Sequence, residues 1–390
     1  MDLDYWWLLV IPIVFGLGWV AARFDLKHLL SESAALPRSY FRGLNFLLNE
    51  QQDKAIDAFI EVVKLDPETT ELHFALGSLF RRRGETERAI RVHQNLLNRA
   101  DLPTSERDHA LYELGLDFLK AGLLDRAEQT LQSIQEGAFA NDAQASLLTI
   151  YEIEKEWQRA IETAQRLEEI GARDLRKEVA QFHCELASEA LQRKDAVAAR
   201  RALQAALAVN PQSTRAAVLL GDVEMAGGNA AAALRHWTGI ESQNPAYLSL
   251  VGEKLIAAYA ALGRQDEGIA QLVEYSERHP SSDLLDIAFR YLEKNSGIES
   301  AHAFARHQME RSPSLSGMTR LLEAQTASAE EPRRSELKLI HALIVQRTKN
   351  LPRYTCQHCG FRARLFYWQC PGCGNWETYA PRRIEAMPSS

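Results

Sequence analysis

Prolines recur at a nearly constant interval through most of this chain of 390 residues. Pro211, Pro245, Pro280 and Pro313 follow one another at intervals of 34, 35 and 33 residues, and Pro67 closes a similar segment nearer the start. Each proline ends a stretch whose apolar residues have helical spacing. Because proline cannot continue a helix, this interval predicts repeated helical units of about 34 residues.

Small residues recur in phase with these prolines. One lies 12 positions before each proline, where the two helices of a pair would touch, and in three units another lies 24 positions before it. Bulky side chains occupy the facing positions. The first set is Ala55, Ala199, Ala233, Gly268 and Ala301, the second is Gly43, Ala187 and Gly221, and the bulky residues are Phe46, Phe59, Leu203, Trp237, Tyr259, Leu272 and Leu292. This period and phase are those of the tetratricopeptide repeat.

Three further units have weaker versions of the pattern. They contain Gly77, Phe80, Gly84 and Ala89, then Gly115, Phe118, Gly122, Ala127 and Leu131, then Leu148, Tyr151 and Ala160. An irregular helical bundle would not keep small residues and prolines in phase over so many units. We therefore predict an all-α solenoid of about eight tetratricopeptide repeats over residues 36–315. Two capping helices follow over 316–350, the second with Leu337, Ile340 and Ile344 on one side.

The composition limits the class of function. Hydrophobic residues make up 46% of the chain, and 45 basic residues are outnumbered by 52 acidic ones. A protein that binds nucleic acid without regard to sequence needs a basic surface to displace counterions from phosphates. We therefore expect no nucleic-acid partner. Instead, stacked helix pairs form a groove that typically binds a segment of another protein.

The first 22 residues have the composition of a membrane span. From Tyr5 to Ala22 there are 18 residues without a charge, which as a helix would extend about 27 Å, close to the thickness of the hydrocarbon core. Trp6, Trp7 and Trp19 would lie near the two interfaces. We predict a transmembrane anchor at 1–22, against the alternatives of a cleaved signal peptide and a buried helix.

Charges on either side of the span predict its orientation. Asp2 and Asp4 precede it, whereas Arg23 and Lys27 follow it in the connector at 23–35. By the positive-inside rule, the rest of this single-pass protein then faces the cytoplasm. Cysteine usage indicates the same compartment, because two Cys-x-x-Cys pairs would risk forming disulfides in an oxidising one.

The two Cys-x-x-Cys pairs are the strongest chemical signal. Cys356 and Cys359 form the first pair, Cys370 and Cys373 the second, and ten residues separate the pairs. Four thiolates arranged as a tetrahedron suit zinc or iron, and we predict one such ion in a domain at 351–383, ahead of a tail at 384–390. Disulfides and a dithiol redox pair are the weaker alternatives, and His358 is expected to be exposed.

The surroundings of the cysteines suggest more about this module. Gly360 and Gly374 follow the second cysteine of each pair, where the turn requires a positive φ. Residues 361–369 are rich in β-formers and predict a small hairpin. Basic and aromatic residues are interleaved here, which suits either a nucleic-acid-binding ribbon or, as we favour, docking of the module on the repeats. The aromatic residues are Phe361, Phe366, Tyr367, Trp368, Trp376 and Tyr379.

Other candidate residues give weaker signals. Within the array, Asn45, Asn49 and the run Arg81, Arg82 and Arg83 are candidate groove residues, and the arginines would suit a carboxylate, although a solvated basic helix end explains them equally well. His183 and Cys184 are adjacent on a helix and therefore point about 100° apart, which argues against a nucleophile and its base. We predict no catalytic residues and no enzymatic activity.

The order of an anchor, tetratricopeptide repeats and the run Tyr367-Trp368-Gln369-Cys370-Pro371-Gly372-Cys373, followed by Trp376, resembles the lipopolysaccharide assembly protein B family of Gram-negative bacteria. The resemblance implies a rubredoxin-type, zinc-ribbon-like metal domain with iron or zinc on Cys356, Cys359, Cys370 and Cys373. It also implies an inner-membrane adaptor that regulates lipopolysaccharide biosynthesis by promoting degradation of the LpxC deacetylase by the FtsH protease.

The resemblance has further implications and one departure. Lipopolysaccharide assembly and transport proteins are expected partners, and a homodimer is one expected arrangement. True rubredoxins have a much longer stretch between the cysteine pairs than the ten residues here, which argues against electron transfer. Two alternative functions remain. One is a membrane-tethered electron-transfer protein, and the other is a general scaffold for envelope assembly.

Overall fold

The computed structural model describes residues 42–381, apart from 44, 47, 50, 66–68, 172, 350 and 351. The predicted anchor at 1–22, the connector at 23–35 and the tail at 384–390 lie outside the described residues. Among the helices that are described, none combines the length and apolar character that a membrane span requires. The chain divides into two compact units between Ile153 and Glu154, and each is described by itself.

The first unit is built from helices joined by short turns. They are α1 (Gln52–Leu65), α2 (Thr70–Arg83), α3 (Thr86–Leu97), α4 (Thr104–Lys120), α5 (Leu124–Gln132) and α6 (Ala140–Glu154). Its core lies where successive helices pack, around Phe59, Leu72 and Phe80.

The second unit continues the same pattern and ends in the small metal module. Its helices are α7 (Trp157–Glu169), α8 (Arg176–Gln192), α9 (Ala196–Val209), α10 (Thr214–Ala226), α11 (Ala230–Gln243), a 3₁₀ helix (Pro245–Leu250), α12 (Gly252–Ala261), α13 (Gln265–Arg278), α14 (Ser282–Ser296), α15 (Ile298–Arg311), α16 (Leu315–Ser328) and α17 (Arg333–Thr348). Two short strands follow, β1 (Tyr354–Thr355) and β2 (Arg362–Ala363), paired antiparallel.

One type of turn joins the two helices of successive repeats in both units. After the first helix, one residue adopts a positive φ, as Gly84 (84°) and Gly228 (79°) do. The next residue then donates its backbone N–H to a carbonyl five positions earlier, as Glu85 does to Phe80 at 2.9 Å and Asn229 to Glu224 at 2.9 Å. This bond satisfies a carbonyl that the end of the helix leaves without a partner. The repeated turn gives these pairs the same local geometry.

The small residues that define the repeat are buried as the sequence predicts. Ala55, Ala199, Ala233 and Ala301 are fully buried. At Gly77 and Gly115 there is no space for a side chain, because an added Cβ would lie 2.4 Å from His93 and 2.6 Å from Leu131. Close approach of the two helices in each pair explains these residues. The tetratricopeptide repeats and the mostly helical fold are therefore confirmed.

The last helix is covered on only part of its apolar side. Leu337 is buried and Ile344 is half-buried where α17 packs against α16, but Ile340 is 46% exposed. At 100° per residue, Ile340 lies about 60° around the helix from Leu337, which places it beyond the edge of the contact. The three residues thus lie on one side of the helix, within about 60° of one another, but only Leu337 and Ile344 are covered by the contact.

The predicted carboxylate-binding arginines in the first unit mostly have partners within the chain. Arg81 donates to Glu113 Oε2 at 2.6 Å and to Asp117 Oδ1 at 2.8 Å. Arg83 pairs with Asp53 and Glu85. Desolvation opposes the charged form of Arg81, but the two carboxylates outweigh it and raise its pKa. Carboxylates of the same unit therefore hold Arg81, whereas Arg83 forms its pairs at the surface, as the alternative of a solvated basic helix end implies.

Candidate metal centre

Four sulfur atoms meet at one point of the C-terminal module. The Sγ atoms of Cys356 and Cys373 are 3.8 Å apart, those of Cys359 and Cys370 are 3.6 Å apart, and all four lie within 4.8 Å of one another. With metal–sulfur bonds of about 2.3 Å, a tetrahedral site has sulfur–sulfur edges of about 3.8 Å. The four cysteines therefore form a tetrathiolate metal-binding site, and the residues fit an ion of the size of zinc or iron.

Two equivalent turns direct the sulfurs inward. Gly360 (φ 75°) and Gly374 (φ 72°) adopt the left-handed conformation predicted for them. Their N–H groups donate to the carbonyl oxygens of Cys356 and Cys370, at 3.0 and 2.8 Å. Each turn thus brings the second cysteine of its pair beside the first. A side chain at either glycine would be strained, because L residues rarely adopt this φ.

The strands flank the first turn and do not lie between the cysteine pairs. β1 precedes the turn and β2 follows it, with Thr355 opposite Arg362. The second turn is closed by a single bridge between Gln369 and Trp376. The hairpin predicted within residues 361–369 is therefore wrong, because the β-forming residues there pair outward across the turns that position the ligands.

The thiols have unequal affinities for protons. Burial disfavours the thiolate of Cys356, but the Thr378 hydroxyl, 3.2 Å away, and nearby backbone N–H groups outweigh it and lower the pKa to about 6. At Cys373 a backbone N–H from Asn375 lowers the pKa, but burial and the surrounding sulfurs prevail and raise it to about 12. Cys356 is therefore ready to bind a cation at neutral pH, whereas Cys373 must lose a proton when the ion binds.

Burial differs among the ligands. Cys356 and Cys370 are buried, Cys373 is half-buried and Cys359 is exposed. His358 is exposed, as predicted, and lies outside the set of four sulfurs. A site closed by four thiolates has no open position at which water or substrate could be activated. The arrangement suits a structural ion or a one-electron carrier rather than hydrolytic chemistry.

Aromatic side chains dock the module on the repeats of the second unit. Trp376 makes edge contacts with Trp157 and Phe182, with ring centroids 6.4 Å apart in both cases. Trp368 stacks on Tyr247 at 5.3 Å. The predicted docking role is therefore confirmed for Trp368 and Trp376, and Phe366 joins them beside Tyr247.

The remaining aromatic residues do not share that role. Phe361 and Tyr367 are 39% and 37% exposed. Tyr379 is fully buried within the module, against Tyr354. The aromatic residues of the module thus include a docking set, a buried core residue and two exposed residues, which the sequence pattern could not separate.

A buried arginine lies at the centre of this contact. Arg215, only 7% exposed, lies over the rings of Trp368 and Trp376, 5.9 and 5.6 Å from their centroids, and pairs with Glu185 at 2.9 Å. Contacts of this kind gain strength when water is excluded. Since the two rings belong to the metal module and Arg215 belongs to α10, the cation joins the module to the repeats.

Glu377 provides the polar part of the same contact. Its carboxylate accepts from Gln181 Nε2 at 2.8 Å, and its carbonyl oxygen accepts from the Tyr247 hydroxyl at 3.1 Å. Burial raises the pKa of Glu377, and the Gln181 amide partly offsets it. The residue also has a φ of 53°, an uncommon conformation for a side chain of this size. The contacts with Gln181 of α8 and Tyr247 of the 3₁₀ helix therefore hold the backbone of Glu377 in this conformation.

Replacing Arg215 by methionine is expected to loosen the module without unfolding it. The change keeps an apolar stem but leaves the Glu185 carboxylate without its cation and removes the contacts to both tryptophans, at a cost of about 2–3 kcal/mol. Hydrogen exchange over 354–381 should then accelerate by about tenfold or more. The control is Arg176→Met, since Arg176 pairs with Asp174 on the surface. Unchanged exchange in Arg215→Met would contradict the docking role.

The adjacent pair His183 and Cys184 lies away from the four sulfurs. Cys184 is fully buried, and burial raises the pKa of its thiol to about 12. Burial also lowers the pKa of His183. A thiol this resistant to ionisation is a poor nucleophile. Cys184 is therefore part of the helical core, and His183 lies half-buried beside it.

Comparison with known proteins agrees with both parts of the architecture. Residues 354–381 match the family described as the rubredoxin metal binding domain, and residues 42–101 and 184–237 match the tetratricopeptide repeat. Lipopolysaccharide assembly protein B of Escherichia coli (strain K12) is 36% identical over 378 residues, 96% of this chain and 97% of that protein. The protein of the same name from Haemophilus influenzae is 32% identical over 384 residues, 96% of this chain and 97% of its own length.

Proposed function

The chain belongs to the lipopolysaccharide assembly protein B family, and from this premise we propose that it is an inner-membrane adaptor that limits lipopolysaccharide synthesis by promoting FtsH-dependent degradation of the LpxC deacetylase. The observation that carries a role in lipopolysaccharide assembly is the 36% identity over 96% of the chain. The finer mechanism follows the family resemblance. Lipopolysaccharide assembly and transport proteins are the further partners that this role requires.

In this proposal the chain acts by binding proteins and is not an enzyme. Tetratricopeptide pairs offer surfaces for segments of other proteins, and the four-thiolate site leaves no position for a substrate. The anchor at 1–22 would place these surfaces on the cytoplasmic side of the inner membrane, beside a membrane protease. Bringing the deacetylase and the protease onto one tethered molecule raises their effective concentration. The adaptor therefore needs no chemistry of its own.

The metal ion has a structural role in the proposal, with zinc and iron as the two candidates. A module as small as residues 354–381 cannot bury a core sufficient for independent stability. The ion fixes the two turns, which in turn present Trp368 and Trp376 to the repeats. It therefore keeps the end of the adaptor in a single conformation.

The test is the lifetime of the deacetylase. When cells are depleted of this protein, the deacetylase is expected to persist several-fold longer in a pulse-chase experiment, and lipopolysaccharide is expected to accumulate. The matched control is depletion in cells that lack the protease, where removing the adaptor should add nothing. A deacetylase lifetime that does not respond to depletion contradicts the proposal.

Electron transfer is the second candidate function, favoured by the rubredoxin description of residues 354–381 and by the exposure of Cys359. An exposed ligand gives electrons a short route to a partner. A reversible Fe(III)/Fe(II) couple in the purified protein would support this function. A site that holds only zinc excludes it, because zinc has no redox chemistry.

A further inference from the structure

The helix α17 leaves an ordered stripe of residues exposed. Glu336, Ile340, Leu343 and Arg347 follow at spacings of four, three and four, which places them along one side of the helix. Ile340 and Leu343 are 46% and 54% exposed, and Glu336 and Arg347 are exposed as well. Meanwhile Leu337, 8% exposed, makes the contact with α16. The stripe is therefore separate from the packed face.

The spacing of the stripe is that of a coiled-coil seam. Alternating steps of four and three residues are the a and d positions of a heptad, which pack against the same positions of another helix. The two apolar residues lie at the centre, and one charge lies at each end. Neither Glu336 nor Arg347 forms an ion pair within the part of the chain that the structure describes. The stripe thus has both an apolar centre and charged ends to offer a second helix.

The order of the charges determines which helix fits. The stripe runs from acid to base along the chain, so a parallel copy would place Glu336 opposite Glu336 and Arg347 opposite Arg347. An antiparallel copy instead places each carboxylate opposite a guanidinium and each Ile340 opposite a Leu343. Opposite charges at the ends of a seam favour that orientation, and like charges disfavour the other. The surface is therefore complementary to itself.

We propose that α17 is a homodimerisation helix, which pairs antiparallel with α17 of a second copy about a two-fold axis between Ile340 and Leu343. Ile340 packs against the partner's Leu343, and Glu336 pairs with the partner's Arg347. Such an interface is isologous, because each contact occurs twice. A helix of 16 residues is about 24 Å long, so this single pair covers less than the about 1,200 Å² of a stable interface. The dimer is therefore weak, and best measured at high protein concentration.

A membrane surface is the other class of partner for an exposed helix with basic residues. Lys338 and Lys349 of α17 are exposed and would favour anionic lipid. However, Lys338 lies on the side of the helix opposite to the stripe, and Glu336 lies within the stripe, where an anionic surface would repel it. The charge pattern around Ile340 and Leu343 therefore favours a second copy of this chain.

Charge exchange tests the pairing on the full chain in detergent, by analytical ultracentrifugation. Glu336→Arg and Arg347→Glu are each expected to raise the dimer dissociation constant at least about tenfold, because each creates two pairs of like charge. The double variant Glu336→Arg/Arg347→Glu restores opposite charges and is expected to return the constant to within about threefold of the original. Lys338→Glu is the matched control. It should leave the dimer dissociation constant unchanged, because Lys338 lies on the opposite side of the helix.

Two outcomes overturn the proposal. If the double variant stays as weak as the single variants, the two residues do not face each other across a dimer. If the single reversals leave the dimer unchanged but alter binding to vesicles of phosphatidylcholine and phosphatidylglycerol, the stripe is a membrane contact. Both positions are exposed, so the variants are expected to remain folded. Circular dichroism checks this.

Discussion

Replacing Cys370 by serine is expected to abolish metal binding and unfold the C-terminal module while the helices persist. Binding of a structural zinc ion provides about 10–16 kcal/mol, more than a module of this size can obtain from its own core. The Cys370 sulfur is buried beside that of Cys359. Metal content, measured by plasma mass spectrometry, should fall from one equivalent to near zero. Proteolysis should then cleave within residues 354–381.

The control for this experiment is Cys184→Ala. Cys184 is fully buried but lies outside the tetrathiolate site, so its loss should leave the metal content unchanged. Far-ultraviolet circular dichroism should report similar helix content in both variants. If Cys370→Ser keeps one equivalent of metal and the same resistance to protease, the four sulfurs do not bind a single ion that stabilises the module.

The fraction of protein loaded with metal should decrease as the pH falls. Metal ligands must be thiolates, and the pKa of Cys373 is raised to about 12 while that of Cys356 is lowered to about 6. Protons therefore compete with the ion increasingly as the pH falls, most strongly at Cys373, whose pKa is raised, and least at Cys356, whose pKa is lowered. The stability that the metal confers on the module follows the same direction, because it depends on the bound ion.

Gly221→Ala is expected to have the largest effect on the repeats. An added Cβ would lie 2.1 Å from Nε1 of Trp237, a fully buried side chain whose N–H donates to the Val218 carbonyl at 3.1 Å. The indole must move, which strains the core and breaks that hydrogen bond, at a cost of about 3 kcal/mol or more in the free energy of unfolding. Chemical denaturation followed by helix content measures the change.

Gly239→Ala provides a matched control in the neighbouring helix of the same repeat. Gly239 lies within α11, and an added Cβ there meets nothing within 4 Å. Since alanine is the better helix former, this variant should gain about 0.5–1 kcal/mol. Equal stability of the two variants would mean that Gly221 is not needed for the approach of α10 and α11.

The repeats could be predicted because their cause is local and periodic. Each helix pair requires a small residue where its helices approach, so Ala199 and Ala233 recur at the same phase in neighbouring units. The metal ligands could be predicted for a similar reason. Two short turns position all four sulfurs, and the sequence of each turn is sufficient to recognise it.

The docking contact could not be predicted in the same way. Arg215 lies more than a hundred residues from Trp368 and Trp376 in sequence, and nothing near Arg215 marks it as buried. Gln181 and Glu377 meet across a similar separation. Only the aromatic content of the module gave a signal, and it did not separate Trp376, which docks, from Tyr367, which is exposed.

Ile340 shows a second limit of periodicity. Apolar spacing on α17 predicts which residues are able to face a neighbouring helix, but it does not indicate which neighbour. Leu337 faces α16 within the chain, whereas Ile340 is exposed. The self-complementary order of Glu336 and Arg347 becomes informative only once the exposed side of the helix is known.

The lifetime of the deacetylase in depleted cells, before and after the protein is supplied again, tests the adaptor account most directly. The account predicts slow degradation after depletion, rapid degradation when the full chain returns, and no recovery with Cys370→Ser. A lifetime that stays short throughout depletion, or that recovers equally with Cys370→Ser, would contradict it.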